Sequence, residues 1–464
     1  MTLPAVFRPR ASAASIALRI GVLAIALTSA IAPAQNADSA AKGDTTGELL
    51  RPIVDRESDS LEKLYQSIHA KPELSLQEKE TAHTLAENLK AAGFDVTTNV
   101  GGHGLVAVLK NGPGKTLLIR GDMDALPVKE ETGAAYASKT TGKDAAGRDV
   151  PVMHACGHDV HVTSLVGVAR AMQATKDRWS GTLVLIGQPA EEIGRGSASM
   201  LADGLYTRFP RPDYCLALHV DSDLEAGKVG WVSGFSMANV DSVDVVVRGV
   251  GGHGAQPQAT KDPVVIASQI VLALQTIASR EIHPREPVVV TVGSISGGTK
   301  HNIIPDQVTL QLTVRTYKDE TRTKVLAAIE RISKGIAVAA GVPKDLEPIV
   351  TVKDEFTPSL YNSPELVQRV KGVFEKTLGA DNVVEREPSM GGEDFARYGK
   401  SEPKIPIFMF RVGSVPLEKY KAAKAAGTPL PSLHSSKYLP DARATITTGV
   451  TAMTAAALDL LQKP

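Results

Sequence analysis

Apolar positions follow two different periods along the first half of the chain. Stretches 61–66 and 78–92 carry them at helical spacing, whereas 95–99, 105–109, 116–120, 182–187 and 215–219 are short apolar runs. Runs of that length set between helical patterns predict strands of a mostly parallel sheet covered on both faces by helices, an α/β architecture. In such sheets ligands sit beyond the carboxyl ends of the strands. Strand 116–120 runs into Gly121-Asp122-Met123-Asp124, strand 182–187 into Gln188-Pro189-Ala190-Glu191-Glu192, and strand 215–219 ends on His219. Three strands therefore deliver acids and an imidazole to one edge.

The rhythm changes between 233 and 345. A strand at 243–247 leads into a glycine-rich turn around His253 and then a helix striped by Ala267, Ile270, Val271, Leu274 and Ala278. Strands at 288–292 and 308–313 follow, then a helix capped by Asp319 and striped by Val325, Ile329, Ile332 and Ile336, and a last strand at 349–352. The order β-α-β-β-α-β predicts a ferredoxin-like α+β sandwich. Helix 363–378, strand 405–411 and helix 442–461 then resume the first pattern. The expected organisation is a larger α/β domain in two parts, 47–232 and 346–464, with a smaller domain inserted at 233–345.

Composition narrows the class. The 464 residues balance 51 basic against 51 acidic side chains, and only 4% are aromatic. Without a basic stripe or a stacking surface, a nucleic-acid partner is not expected. The N-terminus reads as a signal peptide over 1–34: Arg8, Arg10 and Arg19 flank an uncharged apolar run, and Ala32-Pro33-Ala34 is a small-x-small cleavage pattern. An uncleaved anchor is the alternative reading. Residues 35–46 read as a flexible spacer. The expected location is secreted or periplasmic, with no stable membrane anchor after cleavage, since no other stretch reads as long and apolar enough to span a bilayer.

Candidate chemistry centres on Met153-His154-Ala155-Cys156-Gly157-His158-Asp159. A thiol and an imidazole two apart on a glycine-containing loop can both turn to one divalent ion such as zinc. A buried thiol beside a helix-capping imidazole reads the same way, and an exported chain whose two cysteines are Cys156 and Cys215 also admits a disulfide. Glu191-Glu192 offers one carboxylate to a metal and one to a substrate, the arrangement of metal-assisted hydrolysis; a solvated loop pair is the plainer reading. His154 and His161 read as structural hydrogen-bonding residues. Gly391 and Gly392 allow close backbone approach.

Taken in order, Gly121–Val128, 153–159, Gln188–Glu192, Leu218-His219-Val220, 251–257, 302–306, 390–395 and Leu433-His434 resemble the aminoacylase/carboxypeptidase superfamily of two-metal hydrolases, in the amidohydrolase branch of hippurate and auxin-conjugate hydrolases. The resemblance spans about 50–460. It implies Cys156, His158, Glu192, His219 and His434 as ligands of two divalent ions, with Cys156 between them, zinc first and manganese or cobalt as alternatives. It implies Glu191 as the base and Asp124 as the acid that orients a ligand histidine. It implies that His253 reaches the substrate carbonyl, often from a partner subunit, and that Asn302 and Arg315 hold the substrate carboxylate or its neighbourhood; pairing with a surface acid is the plainer reading of Arg315. The expected activity is hydrolysis of the amide bond of N-acyl amino acids by a metal-activated water in a homodimer joined through the inserted domain. A metallo-carboxypeptidase or dipeptidase on the same scaffold is the alternative.

Overall fold

A computed structural model describes residues 46–354 and 356–463. The signal peptide and spacer expected at 1–34 and 35–46 lie outside them, except that Thr46 already opens the first helix, α1 (Thr46–His69). In chain order the main strands are β1 (Asp95–Thr98), β2 (Leu105–Asn111), β3 (Thr116–Asp122), β4 (Gly181–Gln188), β5 (Tyr214–Glu225), β6 (Val229–Trp231), β7 (Asn239–Arg248), β8 (Val288–Gly297), β9 (Gln307–Thr316), β10 (Ile349–Val352), β11 (Val383–Glu385) and β12 (Ile407–Val415). The further long helices are α2 (Lys79–Ala91), α3 (His158–Ala174), α4 (Pro263–Thr276), α5 (Asp319–Ala339), α6 (Pro364–Leu378) and α7 (Ala442–Leu460).

The central sheet has the order β1-β2-β4-β3-β5-β12-β6-β11. Its middle strands β4, β3, β5 and β12 run parallel. Alternation along them explains how both faces are buried. Leu117 and Ile119 join Leu183, Leu216, Leu218, Phe408 and Phe410 under α1, α3 and α7. Leu118, between the first two, turns the other way to Val184, Cys215, Ala217, Phe395 and Tyr398. Two apolar faces on one strand are what a covered parallel sheet requires.

One strand differs from expectation. His219 does not end its strand, because β5 continues to Glu225 alongside β12. Polar residues 221–223 hid that extension, as the apolar run stops at Val220.

The second sheet is antiparallel throughout, in the order β8-β9-β7-β10. Helices α4 and α5 pack on one face through Ile266, Ile270, Leu274, Val325 and Ile329. Because β10 pairs with β7, this unit reaches Val352 rather than stopping at 345. Lys318, not Asp319, is the N-cap of α5, and Asp319 is its first residue. The expectation of no further membrane-length segment also needs correcting: α4 continues through a π turn to Glu281, and this helix is long and apolar enough to cross a membrane by length and composition. Here one face of it is core. The other exposes Val264, Val265 and, at 73% of its surface, Leu272.

Candidate active site

Cys156 and His158 sit where a tight loop enters α3. Gly157 between them has φ +77°, and a Cβ there would lie 2.6 Å from Val220 Cγ2. Glycine meets both demands, so the loop bends sharply enough to bury the side chains on either side of it.

Hydrogen bonds fix the tautomers. His158 Nδ1 donates to the Asp124 carbonyl at 2.7 Å. A carbonyl only accepts, so Nδ1 carries a proton and Nε2 is the ring atom left to meet an ion. Nε2 is buried without a hydrogen-bond partner. His219 is held alike: Nδ1 donates to Val220 O at 2.8 Å, and Nε2 lies 3.6 Å from Cys156 Sγ. His434 has φ +66°, a strained conformation for a residue with a Cβ. Its Nε2 is 3.6 Å from Glu192 Oε2, and Glu192 Oε1 is a second buried atom without a partner.

These donors form two triads, Cys156–His158–His219 and Cys156–Glu192–His434, each with ligand atoms within 4.8 Å of one another. Thiolate, imidazole and carboxylate suit zinc and similar divalent ions. The two orphaned atoms lie 3.7 Å apart, and His158 Nε2 is 3.5 Å from Asp122 Oδ2; neither is hydrogen-bonded, and a cation there would satisfy both. The residues therefore fit a two-metal centre with Cys156 common to both halves. Burial, with the Glu192 charge adding, pushes the Cys156 thiol well above its usual range, so a cation is what would favour the thiolate. Burial also holds His219 well below the usual imidazole range, neutral as a ligand must be.

Asp124 braces both halves. Its carboxylate accepts from the Glu191 and Glu192 amides at 3.1 and 3.0 Å and from the Ser75 hydroxyl at 2.6 Å. Its carbonyl, rather than its carboxylate, makes the short bond to His158. Glu191 follows Ala190, which sits at φ +51° with its amide held by Glu78 Oε1 at 2.7 Å. Burial, then the charges of Glu393, Glu192 and Asp394, push the Glu191 carboxyl well above the usual carboxylate range.

A cleft of about 1410 Å³ opens onto Cys156, Glu191, Glu192, His219 and His434, and Arg315 lines it too. His253 and Asn302 are not among the described residues that line it. They lie side by side on the inserted unit, where Gly254 N donates to Asn302 O at 2.9 Å, and both are exposed. His253 Nδ1 accepts from the Ala255 amide. Within one chain, then, Arg315 meets the cleft and these two do not. Gly392 is required by packing, since a Cβ would lie 2.3 Å from Val240 Cγ2.

Sequence reasoning assigned no role to Arg120, Glu393 or Asp394. Arg120 is fully buried and pairs with Asp122 at 2.6 Å, Glu393 at 2.8 Å and Asp394 at 3.2 Å. The signal was an arginine directly before the Gly-Asp-Met-Asp run, and the adjacent acids at 393–394. His161 donates from Nδ1 to Asp122 at 2.5 Å and accepts at Nε2 from the Val220 amide. Both nitrogens are used, so His161 is structural and no ligand. His154 departs from expectation: both its ring nitrogens are buried without partners, and burial pulls its pKa down to about 4. Cys156 and Cys215 are both free, so no disulfide joins them.

Comparison with known proteins agrees with this geometry. Residues 118–426 match the model for peptidase family M20/M25/M40. Thermostable carboxypeptidase 2 of Saccharolobus solfataricus is 36% identical over 78% of this chain and 88% of its own length. Hippurate hydrolase of Campylobacter jejuni is 38% identical over 75% of this chain and 86% of its own. The crystal structure of the Bacillus subtilis YXEP protein, described as a dinuclear metal-binding peptidase, is 28% identical and superposes with a TM-score of 0.71, covering 88% of this chain and 99% of that one.

Proposed function

The chain belongs to peptidase family M20/M25/M40 and is a metal-dependent hydrolase of amide or peptide bonds, and on that premise we propose that it cleaves N-acyl amino acids. One observation carries the proposal: two triads of ligand atoms share Cys156 beside Glu191, in a cleft that Arg315 enters. Cys156, His158 and His219 would hold one divalent ion, and Cys156, Glu192 and His434 the other. When bound, the ions supply Lewis-acid polarisation of the scissile carbonyl and acidify water.

The remaining steps belong to the chain. Glu191, the acid of the pair outside both triads, accepts a proton from the attacking water and returns it to the leaving nitrogen. Asp124 keeps Glu191 and Glu192 in register through their amides. Arg315 takes the substrate carboxylate, a planar anion that suits its guanidinium. His253 and Asn302 complete the site from a partner subunit, His253 toward the carbonyl oxygen and Asn302 near the carboxylate. Zinc suits the Cys/His set, and manganese or cobalt the carboxylate. Export rests on the charged flank, apolar run and small-x-small pattern of residues 1–34.

A carboxypeptidase or dipeptidase is the second reading, favoured by the likeness to a named carboxypeptidase. Metal-loaded protein offered hippurate, N-acetyl amino acids and dipeptides separates the two. Turnover of dipeptides alone would remove the N-acyl amino acid reading.

A further inference from the structure

Arg411 stands in β12 directly beside His219 of β5, as register partners in a parallel pair. Such partners point to the same face of a sheet. The residues on either side, Phe410 and Val412, enter the core under α7, so Arg411 turns with His219 toward the cleft, which it lines. No carboxylate meets it: among the described residues Arg411 has no ion pair. The acids in reach are engaged elsewhere, Asp221 by Arg386 at 3.1 Å and Glu393 by Arg120 at 2.8 Å. Its hydrogen bond goes to the Met237 thioether at 2.9 Å, a weak acceptor. Burial pushes the pKa of this guanidinium below the ordinary arginine value.

Arg315 is in the same position on another wall. It comes from β9 of the inserted unit, its Nε donates to Thr313 Oγ1 at 2.9 Å, and it has no acid partner either. Two guanidinium groups without carboxylates thus face one cleft from two different sheets. A cation withdrawn from water is tolerated when a partner neutralises it. An N-acyl amino acid with an apolar side chain brings one carboxylate, enough for one of them.

We infer that Arg411 binds a second carboxylate of the substrate, so that the cleft selects N-acyl amino acids carrying two acidic groups. The inference rests on the amide-hydrolase reading above. The second carboxylate can belong to the amino-acid side chain or to the acyl chain, and paired probes distinguish them. N-acetyl-L-glutamate against N-acetyl-L-glutamine tests the first, and N-succinyl-L-alanine against its succinamoyl amide tests the second. Each pair is nearly isosteric and differs by one charge.

Steady-state kinetics of wild type, Arg411→Met and Arg411→Lys on all four probes decide the matter. In the wild type at least one acid is preferred over its amide by about tenfold or more in kcat/KM, mainly through KM. Arg411→Met brings that ratio close to one. Arg411→Lys keeps part of it, because a point charge replaces a planar fork and the variant tests charge without removing it from the fold. Ratios near one in the wild type, with the amides turned over, overturn the inference and leave the hydrolase reading standing. So does a ratio that survives in folded Arg411→Met. Failure of all four probes removes the N-acyl amino acid reading, and this inference with it.

Discussion

The proposed reading gives the adjacent carboxylates Glu191 and Glu192 separate tasks, and single substitutions test that division. Glu191 stands outside the two triads that share Cys156, although its carboxylate also lies within 4.8 Å of ligand atoms of His158 and Glu192; as base and not ligand, Glu191→Gln is expected to retain the metals by elemental analysis while kcat falls by about 10² to 10⁴ or more. Near-normal kcat would remove Glu191 as the base. Cys156 belongs to both triads, so Cys156→Ser is expected to lower bound metal at the two positions together, since a hydroxyl stays protonated near neutral pH. Unchanged stoichiometry would take Cys156 out of the centre. A third residue acts on stability. His69 is buried between Asp159 at 2.7 Å and Glu130 at 3.1 Å; burial opposes its charge, but these two acids raise its pKa to about 9. A folded value above the unfolded one of about 6.5 means the stabilisation is full below pH 6.5 and lost as pH rises toward 9. The melting temperature is expected to fall across that window, and to fall less steeply in His69→Gln; parallel profiles would dismiss the ion triad. That Cys156 and Glu191, each in a short run of candidate chemistry, meet at one cleft was legible in the sequence. Arg411 was not, because an arginine inside an apolar strand gives no sign of the lack of acids beside it; for Arg120 the neighbouring acids at 122 and 393–394 were visible, but the sequence does not say that the fold brings them together.

Elements deliver these side chains through a few tight contacts, and there the design is most brittle. Gly157 joins the loop of Cys156 to α3 with φ +77°, and a Cβ there would lie 2.6 Å from Val220 Cγ2. Gly157→Ala is expected to cost about 1–3 kcal/mol from the backbone alone, with the push on Val220 adding to it. Because Val220 follows His219 on β5, the variant should lose metal affinity as well as melting temperature. A lowered melting temperature with unaltered metal affinity would separate the loop from the ligand geometry. Apolar runs located every strand of the parallel core and the β-α-β-β-α-β order of the insert, since buried strands need uninterrupted apolar residues. They misjudged the end of β5 because residues 221–223 are polar, although Asp221 and, past a register shift, Glu225 still pair with β12. Pairing is a property of two strands, and one strand's sequence does not contain it.

At the scale of the whole molecule, the inserted unit presents two features that a single chain leaves without partners. Among the described residues β8 is an edge of its sheet, paired only to β9. The neighbouring helix α4 exposes Val264, Val265 and Leu272. An unpaired edge next to an apolar helix face is a surface fit for a second copy of the chain. His253 and Asn302 belong to the same unit but stand outside the cleft of their own chain, while Arg315 of that unit lines it. A dimer that carries His253 of one chain to the cleft of the other reconciles these placements. It also yields a strict test. His253→Ala should reduce kcat with metal content intact, and Glu191→Gln should do the same for a different reason. If His253 serves the opposite cleft, a mixed dimer of the two variants has one cleft with both defects and one with neither. Mixing equal amounts should therefore restore about a quarter of wild-type activity, since half of the dimers are mixed at random exchange and each has one intact cleft of two. Mixed dimers that form, shown by two distinguishable tags, and stay inactive would place His253 in the service of its own chain or of none.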